Sequence, residues 1–331
     1  MKYLVPKWFA GLAVTSLLLA GCEKSQEPDQ SIAGITVANP DFQQLEDAAI
    51  RGGVVAVLSN KNPSDPQGNY TVFAPNNAAF ARLGLRTALD LTALYQPFLT
   101  QTLLYHVAGG TLAGSALQPG TVSASAFGPT RRFVSRGGNQ YVNGSRIIAT
   151  DVRASNGTIH AVDKVLLATG ADVVQSAVAL STAKVFVQPE LTYLVAALQL
   201  CGLTGALTKS PGSPQFTVFA PTDQAFRNLG QQLGLQLDKP ADVSKIADKI
   251  GLSTLSAVLT NHVLIGDKFT SELPEKTALP SFGGAPATTG PFTDGLLTVK
   301  GNGNATPANM VIPDVQCTNG IVHVIDQVLL P

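Results

Sequence analysis

Four histidines are the residues of this 331-residue chain best suited to chemistry. They fall into two pairs, His106 with His262 and His160 with His323, and each of the latter two is followed three residues on by a carboxylate, Asp163 or Asp326. An imidazole near a carboxylate is material for acid–base work or for a metal. The spacing argues against both. Residues three apart on a strand point to opposite faces, so His160 and Asp163 do not meet one substrate there. Two histidines per half, without a cluster of Cys or Glu, are a poor ligand set. The sequence holds no G-x-S-x-G, P-loop or H-E-x-x-H pattern. The expectation is therefore no catalytic residue, no metal and no cofactor. His106, His160, Asp163, His262, His323 and Asp326 are read as structural landmarks that satisfy buried polar groups.

Arginine is the next signal. Arg131, Arg132, Arg136, Arg146 and Arg153 lie within 23 residues that contain one acid, Asp151. On adjacent strands they would make a basic face for an acidic polysaccharide or a phosphate-bearing polymer. The alternative is a strand edge whose positive charges discourage pairing with other chains.

The three cysteines divide by position. Lys2 and Lys7 precede an apolar run from Trp8 to Ala20, and Leu19-Ala20-Gly21-Cys22 resembles the bacterial lipobox. Residues 1–22 read as a lipoprotein signal peptide with Cys22 as the lipid attachment site, which implies a membrane contact through an N-terminal lipid. Residues 23–37 are polar and acidic and read as a flexible tether. The compartment implied lies outside the cytoplasm and is oxidising, so Cys201 and Cys317 are expected to form a disulfide; two separate buried thiols are the alternative.

Composition bounds the rest. Charged residues make up only 13% and hydrophobic residues 45%, enough apolar material for a packed core. With 22 basic and 22 acidic residues the net charge is zero, which removes the electrostatic case for a nucleic-acid binder. The charge is uneven along the chain: residues 38–168 carry ten basic and seven acidic side chains, and residues 169–331 carry nine and twelve.

The landmarks must be positioned by two similar folds, because the chain repeats. The segment from Tyr70 to Phe80 matches that from Phe216 to Phe226 at seven of eleven positions, and the segment from Asn156 to Leu167 matches that from Asn319 to Leu330 at seven of twelve. So long a period means two tandem domains, placed at residues 38–168 and 169–331. Leu191, Leu194, Val195 and Leu198 share a helical stripe that Gly202 ends. Asn76 and Thr222 suit N-caps of short helices, while Leu91 to Val107 and Leu252 to Leu264 look helical. Asn143-Gly144, Asn156-Gly157 and Asn319-Gly320 mark hairpin turns, and residues 281–313 read as surface-exposed hairpin loops. Helices first and strands after make the class α+β.

The set T-V-F-A-P plus a short helix, a mid-domain Tyr105-His106 or Asn261-His262, and a closing N-G-x-x-H-x-x-D-x-V-L-L resembles the fasciclin domain family, over roughly residues 35–331. The resemblance implies two tandem wedges of β-strands with helices packed along one side. It also implies adhesion or matrix-binding modules rather than enzymes, with a protein or polysaccharide of the cell surface or matrix as partner. In animal members, residues around the Tyr-His pair are linked to integrin binding; Asn261 departs from that pattern. The reading is an envelope- or surface-anchored, non-enzymatic adhesion or binding lipoprotein. The alternatives are a structural or scaffolding envelope lipoprotein that binds another protein and, more remotely, an envelope hydrolase.

Overall fold

The computed structural model describes residues 30–182 and 190–331. The signal segment, Cys22 and the tether up to residue 29 lie outside the described residues. The first domain begins with helices α1 (Ile32–Ala38), α2 (Gln43–Gly52), α3 (Val55–Ser59), α4 (Asn77–Ala81), α5 (Ala88–Thr92) and α6 (Gln96–Tyr105). Its strands are β1 (Tyr70–Pro75), β2 (Val107–Gly109), β3 (Val122–Ala124), β4 (Thr130–Arg136), β5 (Asn139–Val142), β6 (Ser145–Ala154), β7 (Gly157–Val162) and β8 (Leu167–Ala168). The second domain repeats the plan with helices α7 (Val173–Thr182), α8 (Thr192–Leu200), α9 (Thr204–Leu207), α10 (Asp223–Gln232), α11 (Val243–Ile250) and α12 (Leu252–Asn261). Its strands are β9 (Phe216–Pro221), β10 (Val263–Ile265), β11 (Ala278–Leu279), β12 (Ala287–Thr289), β13 (Thr298–Gly301), β14 (Ala308–Cys317) and β15 (Gly320–Ile325).

The two sheets have the same order. The first runs β2-β1-β7-β6-β5-β4-β3, the second β10-β9-β15-β14-β13-β12-β11. In each, the T-V-F strand lies parallel to the closing N-G-x-x-H strand, so that Phe73 pairs with His160 and Phe219 with His323. The threonine of T-V-F earns its place through its hydroxyl. Thr71 Oγ1 donates to Gly110 O and accepts from Leu112 N–H; Thr217 Oγ1 donates to Gly266 O and accepts from Lys268 N–H. Asn76 and Thr222 cap their helices by accepting from Ala79 and Ala225 N–H. The stretch expected to be helical from Leu91 is broken between α5 and α6, where Tyr95 is extended and Pro97 opens the next helix. At the other landmark, α12 ends at Asn261 and the chain turns into β10.

Three expectations of the sequence need correction. The tether stops sooner than residue 37: Ser31 caps α1 and Ile32 is fully buried. The cause is a pair of buried asparagines. Asn156 Oδ1 accepts from Ile32 N–H and its Nδ2 donates to Leu58 O and Asn60 O, while Asn319 Oδ1 accepts from Val173 N–H and its Nδ2 donates to Leu207 O. Each domain thus pins its first helix to its last hairpin, and the first repeat starts near Ser31. Residues 281–313 are also more than exposed loops, since Ala287, Leu297, Val299, Ala308 and Met310 are buried in a second core with Phe219, Leu264 and Ile325. Finally, the domain boundary is shared. β8, the end of the first domain, pairs with β14 of the second, Leu167 opposite Val315. One apolar cluster runs through the helical sides of both domains and includes both residues.

Candidate functional site

The four histidines are fully committed to the fold. His106 Nδ1 lies 2.7 Å from Thr102 O and Nε2 accepts from Leu166 N–H at 2.9 Å. His262 repeats this with Val258 O at 2.8 Å and Leu329 N–H at 2.7 Å. One ring nitrogen faces a carbonyl and the other an N–H, which defines a single neutral tautomer. Burial holds both pKa values down to about 4. In the other pair, His160 Nδ1 accepts from Asp151 N–H while Nε2 meets Leu112 O; His323 Nδ1 accepts from Asp314 N–H while Nε2 meets Lys268 O. Burial lowers these pKa values too. Asp163 accepts from Arg146 N–H, and Asp326 accepts from the backbone and side chain of Asn309. Neither carboxylate is bonded to a histidine, and among the described residues no group of three His, Cys, Asp or Glu is placed to hold a metal.

A continuous basic face, one of the two readings of the sequence, is not formed, because Arg131, Arg132 and Arg136 turn inward or across to the second domain. Arg131 is fully buried and donates to Tyr105 O, Ala124 O and Ser123 Oγ, with its guanidinium 4.9 Å from the Phe73 ring centroid. Arg132 reaches across to the second domain. Its Nη1 is 2.7 Å from Asp267 Oδ2, its Nη2 is 2.6 Å from Glu272 Oε2, and it lies over the Phe269 ring. Arg136 donates to Thr270 O, Leu273 O and Glu275 Oε1, with its guanidinium 3.8 Å from the Phe292 ring centroid. Arg146 pairs with Asp163 inside its own domain. Of the five, only Arg153 is exposed with no ion pair among the described residues. The +3 and −3 halves of the sequence are thus the two sides of one joint.

Lys164 closes that joint. It is 5% exposed, and its Nζ donates to Asp314 Oδ2, Thr270 Oγ1 and Gly295 O. Asp314 Oδ1 accepts from Thr270 N–H. Burial, the largest single influence, would raise the Asp314 pKa, but the Lys164 ammonium, His323 and the hydrogen bonds from Lys164 and Thr270 together outweigh it and the net shift is downward. Asn143, at φ +53°, and Gly144 form the predicted turn, which lies directly against Asp314; a Cβ on Gly144 would collide with that carboxylate. Ser271 Oγ donates to Asn143 O across the same contact. Tyr105 of the Tyr-His landmark is fully buried, and its hydroxyl hydrogen-bonds Gln316 of the second domain and Asn143. Its counterpart Asn261 holds a local turn, accepting from Ser281 Oγ and Ala285 N–H. Beside the ion pair lies a cavity of about 220 Å³, with Leu83, Val165, Leu296 and Met310 among its walls.

The cysteines also depart from expectation. Cys201 and Cys317 are free thiols, not a disulfide. Cys201 caps the end of α8 and is half-buried, whereas Cys317 is buried at the end of β14 with Ser176 and Thr169 near its sulfur. Burial pushes the Cys317 pKa up to about 11, so it packs as a small apolar group. Sequence reasoning missed Lys164 and Asp314 altogether. The one available signal was the difference between the closing motifs, where Lys164 stands opposite Gln327.

Comparison with known proteins agrees with this repeat. A family profile, the fasciclin domain, matches residues 40–168 and 189–331. Transforming growth factor-beta-induced protein ig-h3 of Sus scrofa is 27% identical over 267 residues, covering 80% of this chain and 35% of that protein. The chain therefore spans about a third of that relative. Protein sll1483 of Synechocystis is 36% identical over 138 residues, 41% of this chain and 73% of its own length. Immunogenic protein MPB70 of Mycobacterium bovis is 32% identical over 146 residues, 43% of this chain and 70% of its own. A solved FAS1 domain pair from the insect cell adhesion molecule Fasciclin I matches 89% of this chain and 98% of that one, at 20% identity and a TM-score of 0.38.

Proposed function

The chain belongs to the fasciclin domain family, and from that premise we propose that it is a non-enzymatic adhesion module of the bacterial cell envelope, held to a membrane by lipid on Cys22. The observation that carries the reading is the commitment of every histidine to backbone groups of its own domain, which leaves no acid–base pair facing solvent. Polar chemistry that would serve catalysis serves folding here. The chain instead presents two domains joined through a buried ion pair, two arginine clasps and a shared strand, a form suited to presenting surfaces at a distance from an anchor. The partner is a protein or polysaccharide of the cell surface or matrix, and no cofactor takes part.

Beads coated with the chain from residue 23 onward test this reading. They should attach to immobilised envelope protein or polysaccharide better than albumin-coated beads do. Attachment no better than albumin on every surface would sink the adhesive reading. Turnover of an ester or glycoside that disappears in His106→Gln would replace it with a hydrolase.

A further inference from the structure

The two domains place the same surface in two different situations. In the first domain, the surface between α4 and the segment after β7 carries Arg82 and Lys164 and is covered by the second domain, with Arg82 paired to Asp294 and Lys164 to Asp314. The repeat aligns Arg82 with Asn228 and Lys164 with Gln327. In the second domain the corresponding surface, between α10 and the segment after β15, is an open groove of about 730 Å³. That volume falls within the range of small-molecule sites, roughly 300–1,000 Å³.

The chemistry of the groove has changed with its occupancy. Among the described residues no lysine or arginine lines it; its walls carry Gln224, Asn228, Gln231, Gln232, Asn304 and Gln327. Asp326 is its one carboxylate, already taken by Asn309. A cationic surface made for acids has become a surface of amides. Each amide offers donors and an acceptor together, as a sugar hydroxyl does, and nothing there would hold a phosphate, sulfate or uronate.

Several of these amides are held in place. Asn304 accepts from Gly301 and Leu330 N–H and donates to Val328 O; Gln327 donates to Thr306 Oγ1 and Pro307 O. Gln224 donates to Asn228 Oδ1, which leaves the Gln224 carbonyl and the Asn228 amino group available. The side chains of Gln231 and Gln232 are exposed and make no hydrogen bond to the described residues. Side chains fixed in advance lose less entropy when a ligand binds. Half-buried Leu330 lines the groove beside the amides and supplies apolar surface for sugar C–H groups, over a floor of buried Leu229 and Val328.

We propose that this groove of the second domain binds a neutral, hydroxyl-rich polysaccharide. The inference rests on the adhesive reading and names its ligand class and its site.

Affinity electrophoresis through gels containing dextran, laminarin or mannan, with alginate as the anionic comparison, tests it. The chain from residue 23 onward should be retarded by at least one neutral polymer, and 0.5 M salt should leave the retardation unchanged. Asn228→Arg with Gln327→Lys, the residues of the first domain, should weaken it at least tenfold without changing the melting temperature, and Gln118→Ala in the first domain should not. Gln231→Ala with Gln232→Ala, on an exposed helix face, guards against misfolding of the first variant and should weaken retention as well. No retardation by any of the three neutral polymers overturns the proposal, as does retardation by alginate alone. Concentration-dependent self-association in sedimentation, lost in the Asn228→Arg, Gln327→Lys variant, would give the groove to a second copy instead. Beads that attach to protein surfaces while no neutral polymer retards the chain would remove this inference and leave the adhesive reading standing.

Discussion

Lys164 Nζ and Asp314 Oδ2, 150 residues apart in the chain, lie 2.8 Å from each other inside the contact between the two domains. The lysine ends the closing hairpin of one domain, and the aspartate sits at φ +66° on the bulged β14 of the other. In the first domain the residue equivalent to Asp314 is Asp151, also at positive φ, whose Oδ1 accepts from Gly114 N–H just as Asp314 accepts from Thr270 N–H. The local device is therefore common to both repeats, and only the second has been recruited into a joint.

Removing one member of this pair leaves the other charge buried. Lys164→Met should cost about 3–5 kcal/mol and split thermal unfolding into two transitions. Lys164→Met with Asp314→Leu should recover much of the loss. Scanning calorimetry reads both, and a single unshifted transition in Lys164→Met would contradict the role assigned to the pair.

Gly144 should tolerate no side chain. Its missing Cβ is what lets the turn lie against Asp314. Gly144→Ala should weaken the joint and widen the solution scattering profile, while the far-UV spectrum of each domain persists. An unchanged scattering profile would show that the carboxylate can move aside.

Arg132 should act as a clasp and not as a polyanion contact. Arg132→Gln gives up two charge-assisted hydrogen bonds to Glu272 and should cost about 2 kcal/mol in urea denaturation. Its retention on an alginate column should match that of the parent chain. Weaker retention with unchanged stability would restore the basic face.

Acid should destabilise the protein through His106 and His262. Their folded pKa values are depressed to about 4 from 6.5, so the folded state binds fewer protons than the unfolded chain between those values. Stability is then full above pH 6.5 and declines as pH falls toward 4, by about 3 kcal/mol for each group. Urea midpoints measured from pH 7.5 to 4 should drop accordingly, and His262→Gln should flatten the slope. A flat profile in the parent chain would refute the assignment.

Thiol labelling should find both Cys201 and Cys317 in unfolded protein that has never met a reductant. In the native state Cys317 should react far more slowly than Cys201, since it is both buried and held as the thiol. Absence of label in the unfolded, non-reduced chain would establish the disulfide after all.

The sequence alone determined what is local and what recurs. T-V-F-A-P and N-G-x-x-H repeat because each domain needs a parallel strand pair closed by a histidine, and helix caps such as Asn76 and Thr222 follow from hydrogen-bonding rules that act over three residues. The start of the first domain escaped because Ile32 is held by Asn156, a hydrogen bond spanning 124 residues that no periodicity records. The arginines escaped for a related reason. Charge clustering along a strand specifies neither which side chains turn inward nor what acids face them. Only tertiary structure set Arg132 against Glu272 and Lys164 against Asp314, because opposite charges find each other by packing in space rather than by order in the chain. The same holds for Cys201 and Cys317: the sequence counted two thiols, and the packing of α8 and β14 kept them apart, one half-buried and one buried.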